Sequence, residues 1–221
     1  MKGLLIKDMR LMLSQGRVLF LMLLVVSMLL GIIGTASPSF IVGYITMIIA
    51  FFTATTVSYD EYENCYSFLM TLPVTRQNYV NEKYVFGFLT TTTAWLVGMT
   101  AGTGLMLAEH RSVSPADWIG ECMIYLLMAW IFCGALLPVR LKFEAEKARY
   151  VNLIVILVLA VCISAGSWIA SRLPEYVVRS GLSFLNGLGN GGFILLTAGI
   201  TAVVTAVSYL ASRHIMERKQ F

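Results

Sequence analysis

Few residues in this chain have the types and spacing that chemistry needs. His110 lies near Ser112, Ser114 and Asp117, which are the residue types of a nucleophilic triad. However, Ser114-Pro115-Ala116-Asp117 reads better as a capped helix start with proline in its first turn. The other histidine, His214, falls on the opposite side of the membrane in the topology derived below, so the two cannot share a site. Gly187-Leu188-Gly189-Asn190-Gly191-Gly192 matches GxGxxG, but a dinucleotide site also needs a preceding strand and an acidic residue about 20 positions later. Neither is present, and the glycines read as a flexible connection or part of a short external element. There is no GxxxxGK[ST], GxSxG or HExxH. Cys65, Cys122, Cys133 and Cys162 form no CxxC pair and sit in or near apolar runs, which suits neither a disulfide framework nor a zinc site. The expectation is a chain with no catalytic residue, no metal ligand and no cofactor of its own.

The most informative stretch runs from Ser58 to Lys83. It opens with Asp60, Glu61 and Glu63, acids that suit a helix N-terminus, where the macrodipole favours negative charge. Cys65, Phe68 and Leu72 follow at i, i+3 and i+7, while Tyr62, Tyr66 and Leu69 follow at i, i+4 and i+7. Pro73 ends that helix, because its ring and missing N–H oppose continuation. Thr75 then caps a second helix through Arg76, Glu82 and Lys83. A short helix with an aromatic face, stopped by a rigid turn, suits a docking element. Periodicity equally allows a surface helix that packs against its own bundle.

The elements that must position this segment are read from composition. Of 221 residues, 58% are hydrophobic and 13% charged, whereas soluble domains carry about 25% charged residues. A water-soluble enzyme is disfavoured, and disorder is excluded by the apolar content. A bilayer core needs roughly 20 apolar residues per helix. Six stretches qualify: Val18–Gly34, Phe40–Val57, Val85–Ala108, Ile119–Val139, Val151–Ala170 and Gly192–Ala211. They lack the alternation of barrel strands, so helices are expected.

Charge placement orients them. Lys2, Lys7, Arg10, Arg17, Arg76, Lys83, Arg140, Lys142, Lys147, Arg149, Arg213, Arg218 and Lys219 fall on one side; Arg111, Arg172 and Arg179 fall on the other. The positive-inside rule puts both termini in the cytoplasm. The net charge of +4 therefore reflects topology and not a nucleic-acid patch. A signal peptide is the other reading of span one, but the run is longer than the 7–15 residues usual for such a region. No span carries a charge near its midpoint, and Glu121 sits only about a turn inside span four, which disfavours ion-coupled transport.

Met1–Gly16 has helical periodicity. Lys7, Arg10, Ser14 and Arg17 share one face, and Leu5, Ile6, Met9, Met12 and Leu13 the opposite one. Such a helix can lie in the headgroup plane, although a plain charged anchor for span one is the alternative. Span three carries Thr90–Thr93, Thr100 and Thr103 around Gly98-Met99-Thr100-Ala101-Gly102. Small-xxx-small spacing and threonines that bond backbone carbonyls point to helix packing. The twelve methionines are assigned no site.

Three features of the chain resemble the small permease subunits of type-2 ATP-binding-cassette exporters. They are the start Met1-Lys2-Gly3-Leu4-Leu5-Ile6-Lys7-Asp8; the pattern Tyr59-Asp60-Glu61, Thr71-Leu72-Pro73-Val74-Thr75-Arg76 and Glu82-Lys83-Tyr84; and the loop residues Arg140, Lys142, Phe143, Glu144 and Lys147. The resemblance covers essentially the whole chain and implies a single all-α permease domain over 1–221. It implies an N-terminal interfacial helix over Met1–Gly16 with Lys7, Met9, Arg10 and Leu13, and a coupling-helix region over Tyr59–Arg76. Tyr62, Tyr66, Phe68, Leu69, Leu72, Pro73 and Arg76 become the expected contacts to a separate P-loop ATPase, which would hold the ATP and Mg. It further implies short external helices between spans five and six, in a re-entrant segment over Arg172–Gly191, and a pair of permeases in a bacterial plasma membrane. Small size and no extracellular domain look most like exporters of amphipathic peptides such as phenol-soluble modulins. Related permeases move drugs, antimicrobial peptides, lipids or ions, and an ATP-independent channel or membrane-embedded enzyme is the alternative from another class.

Overall fold

The computed structural model describes residues 2–32, 37–61, 75–108, 114–143 and 189–218, together with Ser164. Those residues form five α-helices: α1 (Lys2–Ile32), α2 (Pro38–Glu61), α3 (Arg76–Ala108), α4 (Pro115–Lys142) and α5 (Gly189–Arg218). By length and composition α2, α4 and α5 are each able to cross a membrane. Apart from Ser164, the expected span over Val151–Ala170 lies outside the described residues, as does most of the external segment over Arg172–Gly191.

Local chemistry explains where several helices begin. Thr75 accepts a hydrogen bond on its hydroxyl from the Asn78 N–H at 3.2 Å, and its carbonyl accepts from the Tyr79 N–H. Ser114, in extended conformation, accepts from the Asp117 N–H at the head of α4, with Pro115 in the first turn. Both are N-caps that satisfy donors a helix leaves open. Of the glycine run read as a flexible connection or part of a short external element, Gly189–Gly192 form the first turn of α5, and Gly187 and Leu188 lie outside the described residues.

The helices pack where small residues let backbones approach. A Cβ on Gly98 would stand 3.3 Å from the Val42 Cα, and one on Gly102 would stand 3.2 Å from the Pro38 carbonyl oxygen. The Gly98/Gly102 pair therefore forms the α2–α3 crossing, as small-xxx-small spacing requires. Gly43 plays the same part beneath the Tyr125 ring of α4. The threonines of α3 bond carbonyls one turn back, among them Thr91 to Gly87 and Thr103 to Met99, which hides their polarity from the bundle. Thr53 and Thr90 also bond each other across α2 and α3 at 3.0 Å.

One apolar cluster draws on all five helices: Leu4 from α1, Val57 from α2, Tyr79, Val80 and Tyr84 from α3, Cys133, Leu137 and Leu141 from α4, and Met216 from α5. It lies toward the pole where α1 and α3 begin and α2, α4 and α5 end. Ser39 donates to Glu121 at 2.6 Å near the other pole, which leaves Glu121 exposed at a helix end.

Candidate functional site

Beside that cluster lies a buried charged junction. Lys83 of α3 is 1% exposed and contacts both Asp8 of α1 and Asp60 of α2, the latter at 2.7 Å. Lys7 pairs with Asp60 and, at 3.1 Å, with its neighbour Asp8. Tyr79 donates its hydroxyl to Asp60 at 2.8 Å, and the Lys83 ammonium sits 5.2 Å from the Tyr79 ring centre. The two cations and two carboxylates balance one another. Burial alone would push the Lys83 pKa down; Asp60 and then Asp8 outweigh it and hold the ammonium above its ordinary range.

Further polar contacts tie the remaining helices to the same pole. Arg140 of α4 donates to Ser58 of α2 at 2.7 Å. Tyr84 of α3 shares its hydroxyl with Ser208 and Ser212 of α5, at 2.5 and 2.9 Å. Tyr209 donates to Asn81 at 2.5 Å, and Ser208 donates to the Gly134 carbonyl of α4. Arg76 reaches the Met216 and Glu217 carbonyls at 3.3 and 2.8 Å. A guanidinium there satisfies carbonyls that the end of α5 leaves open and complements its dipole.

Glu82 stands apart. It is 2% exposed, and neither carboxyl oxygen has a hydrogen-bond partner among the described residues. Burial is the largest influence on it and pushes its pKa up to about 7, with Asp8 and Asp60 reinforcing the rise and Lys83 and Lys7 opposing it.

The sequence-predicted residues divide accordingly. Arg76 lies at the start of α3, where it donates to the carbonyls at the end of α5. Tyr62, Tyr66, Phe68, Leu69, Leu72 and Pro73 lie outside the described residues, as do Cys65 and Cys162. Cys122 and Cys133 are buried free thiols. Within the expected interfacial stretch, Lys2–Gly16 runs on without a break through residues 17–32 in one helix, α1. Arg10 is exposed, whereas Lys7, placed with it by helical periodicity, turns toward Asp60. Met9 and Leu13 are exposed and, with Met12, Ile49, Phe52 and Val97, line an apolar groove of about 380 Å³ between α1, α2 and α3. The periodicity argument overlooked Asp8, Asp60 and Lys83 as partners. The available signal was opposite charge on three segments assigned to the same side of the membrane.

The described helices include no cluster of histidine, cysteine and acidic residues able to hold a metal. What the junction can do is mechanical: it ties α1 and the first turns of α3 to the last turn of α2. A family model described as "ABC-2 family transporter protein" matches residues 3–217. No curated protein and no solved structure matches the chain.

Proposed function

The chain belongs to the ABC-2 family of transporter proteins, and from that premise we propose that it is the membrane subunit of an ATP-driven exporter whose ATPase docks on Tyr59–Arg76. One observation carries the reading. Asp60, at the end of α2, and Arg76, at the start of α3, flank residues 62–74, and both are bonded to other helices, while Thr75 caps α3. A force applied to that segment by a partner reaches α1 and α3 through buried ion pairs and α5 through Arg76. ATP and Mg belong to the partner, because this sequence has no P-loop.

The wider arrangement follows the same logic. Thirteen basic residues on one side support a cytoplasmic face that includes both termini. α4 and α5 both end at the junction pole, as they must if the chain crosses once more between them, and Val151–Ala170 is apolar enough for that crossing. Two copies would enclose the export path, and amphipathic or antimicrobial peptides are the proposed cargo, on the strength of the small-permease resemblance.

Affinity-tagged full-length protein tests the reading. A P-loop ATPase should co-purify in fixed stoichiometry, and Phe68→Asp or Leu72→Asp should release it or uncouple ATP turnover from export without preventing membrane insertion. Intact complexes with unchanged export in both variants would refute the docking assignment. Export with no associated ATPase would refute the exporter reading itself and favour a channel.

A further inference from the structure

We propose that Glu82 is a proton-binding site, its carboxyl neutral within the packed junction and able to exchange its proton with solvent. Lys7 and Lys83 are already matched by Asp8 and Asp60 through four ion-pair contacts. A third ionised carboxylate would give the cluster a net negative charge where water is almost excluded, since Glu82 is 2% exposed.

Hydrogen bonding leads to the same conclusion. A buried carboxylate is tolerated when donors surround it, yet neither Glu82 oxygen meets one among the described residues. Its neighbour Lys83 is committed to Asp8 and Asp60. The charges acting on Glu82 come from every side: Lys7 and Asp8 on α1, Asp60 on α2 and Lys83 on its own helix. The two carboxylates repel its ionised form and the two ammoniums favour it, while burial disfavours it throughout. Protonation removes the unpaired charge without disturbing the four existing contacts. Burial pushes the group up to about 7, so the junction changes charge across the neutral range.

The test is an infrared titration of the full chain in lipid nanodiscs, comparing wild type with Glu82→Gln and Asp8→Asn. Wild type at pH 6 should show the C=O band of a protonated carboxylic acid that is missing from Glu82→Gln and disappears with a midpoint near 7. In Asp8→Asn the midpoint should fall, because one repelling carboxylate has gone. The proposal is overturned if the two spectra coincide at pH 6, if the Glu82 band titrates at an ordinary glutamate value of about 4.3, or if Asp8→Asn leaves the midpoint where it was or raises it. No ATPase is needed for this readout, so a failure here leaves the exporter reading intact and the reverse also holds.

Discussion

Replacing Lys83 with methionine would test how the helix ends are held together. The ammonium is 1% exposed and sits between Asp8 and Asp60, whose side chains are 0% and 3% exposed. Without it, both carboxylates depend on Lys7, which is one-third exposed, with Tyr79 helping Asp60. Removing one partner of a buried pair costs about 3–5 kcal/mol. Because Lys7 still contacts both acids, the lower end applies, or about 3 kcal/mol. For a chain of this size that corresponds to a Tm loss of about 6–12 °C, measurable by tryptophan fluorescence of the purified protein in nanodiscs. The informative control is Asp8→Leu combined with Lys83→Met. It deletes the buried pair and leaves Lys7 with Asp60, so most of the lost stability should return, since apolar replacement of a buried pair is often neutral or favourable. A Lys83→Met protein that melts with wild type, or a double variant whose losses simply add, would show that the junction is not an interdependent unit.

Other perturbations probe neighbouring features. The raised pKa of Glu82 means that wild-type stability falls as pH climbs from about 4.5 to 7, because the unfolded chain ionises first; Glu82→Gln should lose that slope and be the more stable protein at pH 8 in parallel melts. Gly98→Val pushes a branched side chain against the Val42 backbone, where even a Cβ has 3.3 Å, and should cost about 1–3 kcal/mol, seen as a lower Tm with a loosened α2–α3 crossing. Tyr84→Phe deletes the hydroxyl shared by Ser208 and Ser212, a loss of about 1 kcal/mol. Ser208→Ala should cost more, because it also leaves the Gly134 carbonyl without that donor.

Much of the architecture was legible because it is local. Apolar runs long enough to span a bilayer must be helical, since backbone polar groups have no other partners there. Thr75 and Ser114 announce helix starts by residue type alone, and both cap as their positions predict. Gly98-xxx-Gly102 announces a close crossing without naming its partner, which proves to be Val42 and Pro38 of α2. Threonine back-bonding in α3 is equally local, because each hydroxyl reaches a carbonyl three or four residues away.

The junction was not legible in that way. Lys7 looked like a headgroup anchor because helical periodicity ranks faces by polarity, and a wheel drawn for one helix contains no other helix. Asp8, Asp60 and Lys83 come from three segments, and Lys83 meets Asp8 across 75 positions of sequence. Whether such groups pair, or lack a partner among the described residues as Glu82 does, depends on the angle and register at which helices cross. Sequence alone determined that this chain forms long apolar helices, because hydropathy acts residue by residue. Only the tertiary structure decided which charges were taken out of water together and which carboxylate has no partner among the described residues, because burial and pairing belong to several helices at once.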